Sequence, residues 1–303
     1  MIAAREKKTG QMEEYILKRA SIAIIGGSGL YDIEGAKLIE QIDIDTPWGK
    51  PSDKIDLVEI EGTTVAFLPR HGKGHRLPPH QLNFRANIAA LKMIGIEQIV
   101  AFSAVGSLKE EIVPLDFILP DQIIDRTKAR PSTFFENGVV GHVGFADPFC
   151  HRLQEIILPV AKELGLKIHT GETLICMEGP AFSTRAESRL YRSWGAGIIN
   201  MSTIPEAKLA REAEICYAVI CMSTDYDCWH ETEEDVTIDM VIKNLGTNSV
   251  NAKNLVKKLA GRLGSDRNCP CKEASKFAII TAREKRDNEQ VMKLRSILPE
   301  YFQ

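Results

Sequence analysis

Apolar, β-branched runs recur along the chain, and each stops in a cluster of small, polar or ionisable residues. Residues 21–25 lead into Gly26, Gly27, Ser28 and Gly29, and residues 63–68 lead into Pro69, Arg70, His71 and Gly72. Residues 99–102 run into Ser103, Ala104, Val105 and Gly106, and 173–177 into Glu178, Gly179 and Pro180. Residues 198–200 precede Met201, Ser202 and Thr203, and 217–222 precede Ser223, Thr224, Asp225, Tyr226 and Asp227. Short continuous apolar runs predict strands buried on both faces, and the helix-like stretches between them predict crossover helices. The segment 79–91 reads as helix. Thr184 with Glu187 makes a capping-box pattern at the head of a helix through Tyr191. Pro205 followed by Glu206 opens a helix through Ala213, because proline suits the first turn and a carboxylate complements the helix N-terminus. Residues 126–148 are turn-rich and predict an irregular excursion. After about residue 262 the pattern weakens, leaving a short strand over 277–281 and a last helix over 291–298. The expected fold is a single α/β domain over residues 21–303, with a central mixed, largely parallel sheet flanked by helices. Residues 1–20 are expected to form an N-terminal extension.

Charge narrows the function classes. The 303 residues carry 38 Lys+Arg against 41 Asp+Glu, a formal net charge of −3. A protein that coats nucleic acid usually shows a strong basic excess, so no nucleic-acid partner is expected. No apolar run approaches the ~20 residues of a membrane span, so no membrane partner is expected either. The first twenty residues have charges at both ends and no continuous apolar stretch, which favours the cytoplasm over secretion.

Seven cysteines make an odd count. Cys150, Cys176, Cys216, Cys221 and Cys228 lie in apolar or mixed surroundings and read as buried thiols. Cys269 and Cys271 form a tight CPC pair. A zinc site usually needs two such pairs, and no His-x-x-x-His completes one, so no metal is expected. A disulfide or redox role stays open.

Ligands of open α/β sheets bind beyond the carboxyl ends of the strands. The residues collected there describe an anion site. The Gly26–Gly29 turn exposes backbone N–H groups and adds the Ser28 hydroxyl, Arg70 brings a planar cationic fork, and His71, Ser103 and Ser202 bring further donors. Each alone has a plainer explanation, such as a turn cap or a structural histidine; their joint occurrence is the signal. The glycine turn does not complete G-x-G-x-x-G, because its third position falls on Asp32, and no GK[ST] follows. Beyond the last strand, Asp225 and Asp227 stand at i and i+2 beside aromatic residues. A carboxylate desolvated in such a crevice has its pKa raised and can hold a proton near neutrality, and it can also accept from an exocyclic amine. There is no Gly-x-Ser-x-Gly elbow, no His-Glu-x-x-His and no carboxylate cluster suited to Mg²⁺. A phosphate pocket without a metal suits inorganic phosphate as a reactant.

At these residues the chain resembles the 5′-methylthioadenosine phosphorylases of the trimeric purine nucleoside phosphorylase group. The resemblance rests on IAIIGGSGLYD, LPRHGKGH, SAVGSL, DRTKARPSTFF, EGPAFSTRAES, INMSTIPEAKLAREA and STDYDCW, which together span about three quarters of the chain. It implies a nucleoside phosphorylase-like fold, phosphorolysis of 5′-methylthioadenosine to adenine and 5-methylthioribose-1-phosphate, no cofactor, and inorganic phosphate as co-substrate. It places phosphate at Ser28, Arg70, His71, Ser103, Ala104 (through its backbone) and Ser202. Met201 would underlie the ribose. Phe182, Ser183, Asp225 and Asp227 would line the purine, with Asp225 as the catalytic acid. Ile238, Val241, His75 and Pro79 would form the apolar pocket for the 5′-methylthio group. His142 would reach across from a neighbouring subunit, implying a homotrimer or a dimer of trimers. The CPC pair resembles a C-x-C element of archaeal hyperthermophile members, which favours the disulfide reading. The alternatives are a purine nucleoside phosphorylase of broader or 6-oxopurine specificity, an NAD-linked α/β oxidoreductase, and a non-catalytic adenosine-binding module.

Overall fold

A computed structural model describes residues 19–27, 30, 33–230 and 238–303, with residues 238–241 described by their backbone alone. The elements run β1 (Ile22–Gly26), β2 (Lys37–Ile42), β3 (Ile55–Ile60), β4 (Thr63–Pro69), α1 (Phe84–Met93), β5 (Gln98–Ser107), β6 (Phe117–Leu119) and β7 (Gln122–Arg126). They continue with α2 (His151–Glu163), β8 (Ile168–Thr170), β9 (Thr173–Met177), α3 (Arg185–Ser193), β10 (Ile198–Asn200), α4 (Thr203–Glu212), β11 (Cys216–Tyr226), α5 (Ile238–Ala260) and α6 (Asn288–Arg295). The described strands join one mixed sheet in the order β2-β3-β4-β1-β5-β10-β9-β7, with β11 also on β5, β6 on β11 and β8 on β6. Strands β1, β4, β5 and β11 are mutually parallel where they pair. Hairpin-linked β2 and β3 add antiparallel edges.

Alternation along the central strands sends side chains to two cores. Ala23 and Ile25 of β1 pack with Ile88 and Leu91 of α1 and Leu209 of α4. Their neighbours Ile22 and Ile24 pack on the other face with Leu153 and Ile157 of α2 and Leu255 and Leu259 of α5. Helices therefore cover both faces, which is why these strands read as continuous apolar runs.

The sheet changes neighbours along β5. One edge pairs with β1 in parallel as far as Ala101, then with antiparallel β10 from Gly106 onward. Residues 102–105 lie between these pairings, and the carboxyl ends of β1 and β10 face each other across them. A crevice at such a switch point is where α/β sheets hold ligands.

Several local expectations are met. Thr184 caps α3 in a two-way capping box with Glu187. Residues 127–150 carry no strand or helix. Others are corrected. The helix expected over 79–91 is divided into a 3₁₀ turn at Pro79–Gln81 and α1, because Leu82 is extended and the Asn83 side chain accepts from Ala86 N to start a new helix. The helix expected to open at Pro205 does so: Ile204, just before it, takes extended φ/ψ of −104° and 134°, as the proline ring demands of its predecessor. Residues 277–281 make only an isolated bridge, Gly141 to Ile279, and the last helix is 288–295. No helix among the described residues is long and apolar enough to cross a membrane.

Candidate active site

A cavity of about 270 Å³ opens where β5 changes neighbours, and residues just past β4 and from β5, β9, β10, β11 and α5 border it. Its two ends differ in charge.

The cationic end is built on Arg70, just past β4. The guanidinium is buried and gripped by Glu206 of α4, with Nε to Oε2 and Nη2 to Oε1 both at 2.8 Å. Nη1 donates to the Phe102 carbonyl at 2.8 Å, and the Tyr217 hydroxyl donates to Glu206 Oε1 at 2.7 Å. A bidentate carboxylate fixes the plane of the fork as well as its charge. Tyr217 remains a donor, since burial first and Glu206 second push its pKa well above the usual phenol range.

His71 follows in sequence. Its Nδ1 lies 2.9 Å from the Leu77 carbonyl, an oxygen that only accepts, so Nδ1 carries the proton of the neutral ring. Burial first and the Arg70 charge second push its pKa down to about 4. The ring is thus neutral at pH 7, with Nε2 an acceptor. His75 stacks on it at 4.4 Å between centroids. On the opposite wall Asn200 Nδ2 donates to Ser103 Oγ at 2.9 Å and to Thr203 Oγ1 at 2.7 Å. Ser103 Oγ and Ser202 Oγ are 3.4 Å apart. Asn200 therefore holds the two serine-bearing strand ends in mutual register.

The acidic end is carried by β11. The register of β11 against β5 shifts between Ser223 and Asp225, with Ser223 opposite Val105 and Asp225 opposite Gly106. That bulge re-aims the strand's end. Thr224 Oγ1 donates to Asp225 Oδ1 at 2.6 Å. Burial raises the Asp225 pKa to about 6, opposed by Thr224 and assisted by the nearby charge of Asp227. Burial raises Asp227 as well, and its Oδ2 is buried without a protein partner. Gly106 makes the close packing possible, because a Cβ there would stand 3.2 Å from Asp225 Oδ2 and 3.3 Å from Ile199 Cγ2. Asn244 and Asn248 of α5 donate to the Thr224 and Ser223 carbonyls at 2.6 and 2.9 Å, tying this end down.

Between the two ends the walls are apolar, Val105, Ile199, Met201, Met222 and Leu245 among them, and Phe182 stands 53% exposed at the border. The sulfur of Met201 lies where a Cβ on Gly179 would meet it at 2.5 Å, and Gly179 has φ +70°. Only glycine suits that position.

Of the residues singled out from sequence, Arg70, His71, His75, Pro79, Ser103, Ala104, Phe182, Met201, Ser202, Asp225 and Asp227 all border this cavity. Ser183 is one step back, its hydroxyl donating to Met177 Sδ at 3.6 Å. His142 is exposed and lies away from the cavity of its own chain, with its N–H on the Ala278 carbonyl at 2.9 Å. Ser28 lies outside the described residues, as do the side chains of Ile238 and Val241. Glu206, read from sequence only as the carboxylate at a helix start, is fully buried on Arg70. Asn200, Thr224 and Arg130 were not foreseen. Arg130 emerges from the irregular segment and donates to the Met201 and Ile204 carbonyls at 2.7 Å and to Glu178, joining two loops of the site. The cysteines of the CPC pair, whose pairing the sequence left open, do not bridge each other, and Cys269 Sγ lies 3.3 Å from Cys216 Sγ.

Residues 21–260 match the family model of the phosphorylase superfamily. An S-methyl-5′-thioadenosine phosphorylase of Geobacter sulfurreducens is 53% identical over 261 residues, covering 86% of this chain and 91% of that protein. The protein of the same name from Emericella nidulans is 52% identical over 296 residues, 93% of this chain and 83% of that one. The chain belongs to this phosphorylase family. A crystal structure of a methylthioadenosine phosphorylase from an antarctic soil metagenomic library superposes with a TM-score of 0.89 at 46% identity, over 93% of this chain and all (100%) of that one. A variant of the Schistosoma mansoni adenosine/methylthioadenosine phosphorylase, solved with methylthioadenosine, gives a TM-score of 0.76 at 34% identity, over 82% and 93% of the two chains. Membership of a phosphorylase family sets aside the oxidoreductase and the non-catalytic binding module as readings of the fold.

Proposed function

We propose that the chain phosphorolyses 5′-methylthioadenosine, yielding adenine and 5-methylthioribose-1-phosphate. The observation that carries this reading is the pairing, in one cavity, of an Arg70–serine wall with a carboxyl group raised to about 6 at the far end.

Phosphate needs no enzyme nucleophile, since it is already anionic at pH 7. Arg70, Ser103, Ser202 and the Ala104 backbone hold it beneath the sugar, which converts a bimolecular encounter into fixed geometry. As the C1′–N9 bond breaks, its electron pair enters the purine and the sugar gains oxocarbenium character. The bound phosphate stabilises that cation, and one of its oxygens forms the new bond to C1′. Asp225 in its protonated form delivers its proton to N7, so adenine leaves neutral. The proton that hydrogen phosphate sheds passes to the bare Nε2 of His71, and solvent restores both groups. Asp227, with Oδ2 unsatisfied by protein, accepts from the 6-amino group. Met201 supports the ribose, and Leu245 with His75 and Pro79 takes the methylthio end. No cofactor enters this scheme.

A homotrimer, or a pair of trimers, belongs to the same proposal: His142 is exposed on its own chain and would serve a neighbour's cavity. Light scattering on the purified protein tests it. A cytoplasmic location is likewise proposed, and cell fractionation tests that.

The deciding experiment is incubation with 5′-methylthioadenosine with and without phosphate. Adenine release that requires phosphate and ignores NAD is expected. Equal release without phosphate would overturn the reading. A rate comparison with adenosine, inosine and guanosine separates it from a broader or 6-oxopurine specificity.

A further inference from the structure

The Sγ atoms of Cys150, Cys216, Cys269 and Cys271 all lie within 4.8 Å of one another, although the residues come from three separate parts of the chain. Cys150 stands at the N-cap of α2, Cys216 opens β11, and Cys269 and Cys271 flank Pro270 in a 3₁₀ turn beyond α5. Cys150, Cys216 and Cys271 are buried within the core on the α2/α5 face of the sheet, and Cys269 packs against it. Water is thus largely kept from the cluster. The second cysteine pair that the sequence lacks beside the CPC motif is supplied by the fold: the Cys150 N–H donates to the Tyr217 carbonyl at 2.7 Å, holding Cys150 against the start of β11.

We infer that these four cysteines form a tetrahedral thiolate site for one zinc ion. With Zn–S bonds of ~2.3 Å, the edges of the sulfur tetrahedron are ~3.8 Å. Separations that include 3.3 Å and never exceed 4.8 Å bracket that edge. Four sulfurs from one mutual cluster also suit the soft-ligand, tetrahedral preference of zinc better than that of calcium or magnesium. Cys150 stands at the N-cap of α2, where the positive end of the helix complements a negative sulfur. Loading exchanges the thiol protons for the cation: each sulfur gives its proton to solvent and its lone pair to zinc, with no change of oxidation state.

The ion would be structural. Asp225 stands nine residues beyond Cys216 on the same strand, about 30 Å away at ~3.3 Å per residue. What the site would join is the segment after α5, which holds little regular structure, to the start of β11 and the head of α2.

The test uses the full chain, purified with a reductant and without chelator. Elemental analysis should find about one zinc per chain. Four thiols should become reactive only after denaturation with a chelator present. Cobalt(II) exchanged into the protein should show thiolate charge-transfer and the d–d absorption of a tetrahedral site. Cys271→Ser should lose zinc. Since that buried variant could misfold, half-buried Cys269→Ser is the companion: it should weaken zinc retention at least tenfold and lower Tm while leaving phosphorolysis at 25 °C unchanged. Metal-free protein whose four sulfurs are missing from the thiol count, as in two disulfides, would overturn the site. So would four free thiols that take up neither zinc nor cobalt.

Discussion

Glu206 holds Arg70 by two edges of its guanidinium, with both contacts at 2.8 Å and both side chains shut away from water. The pair is separated by 136 positions in the chain. It sets the direction in which the cavity's main cation faces, so the geometry of the anion wall depends on a carboxylate that does not itself border the cavity.

Removing that carboxylate leaves a buried guanidinium without its counter-charge, a change that typically costs about 3–5 kcal/mol. Glu206→Ala should therefore lower the denaturant midpoint markedly and raise KM for phosphate more than KM for the nucleoside. Chemical denaturation and a phosphate titration check the two parts. Equal rises in both KM values would show that the pair serves stability alone.

On the proposed mechanism Asp225 should govern the pH profile. Its folded pKa of about 6 lies above the usual 3.8, so the protonated acid fades as pH rises through about 6. The kcat/KM for 5′-methylthioadenosine should show a descending limb there, and Asp225→Asn should abolish that limb. Asp225→Ala should lose about 10²- to 10⁴-fold in kcat, the usual worth of a positioned acid. The Asn variant, offering a fixed amide donor, should gain relative activity on inosine. Stability follows the same sign: a raised folded pKa stabilises the fold fully below about 3.8 and loses that contribution as pH climbs to about 6, of order 3 kcal/mol in all.

Thr224→Val removes the hydroxyl that donates to Asp225 Oδ1 at 2.6 Å. That bond favours the charged carboxylate, so its loss should move the descending limb upward in pH, with little change in KM for phosphate. A pH–rate series on the variant reads the shift. A limb displaced downward would contradict the assignment of Thr224 as donor.

His71 is depressed to about 4 by burial and then by Arg70. A bound phosphate dianion offsets that repulsion, so its pKa should climb on phosphate binding, and binding near pH 6 should take up protons. Calorimetry in buffers of differing ionisation enthalpy measures the uptake. In the unliganded protein the depressed pKa stabilises the fold above 6.5, and that contribution is lost as pH falls through about 4.

Gly106→Ala places a methyl group 3.2 Å from Asp225 Oδ2 and 3.3 Å from the Ile199 side chain. Overpacking of this kind costs about 1–3 kcal/mol. The larger effect should fall on kcat, because the carboxyl group must shift. Steady-state kinetics beside a thermal melt separate the two.

The parts of the fold visible in sequence are those buried on both faces. Strands β1, β4, β5 and β11 are continuous apolar runs because helices cover them above and below, and their polar ends mark the cavity. Strand β2, with residues KLIEQI, is mostly exposed at the sheet edge and carries no such run. Helix α2 contains Pro159, which argues against a helix when read alone. Arg70, His71, Ser103, Ser202 and Asp225 were legible because each stands at the polar end of an apolar run. Glu206 and Asn200 were not, since their roles depend on partners about a hundred or more positions away. The same holds for Cys150 and Cys216, which no spacing rule connects to the CPC pair.

The extra residue in β11 carries a larger dependence than its size suggests. Side chains alternate along a strand, so a single-residue change of phase sends each one to the opposite side. Deleting one position between Ser223 and Asp225 would rotate the acid out of the crevice and into the helical layer behind it. On the proposed mechanism the reacting proton is thus positioned by an interruption in strand phase, and flawless pairing along this strand would leave nothing to protonate the substrate.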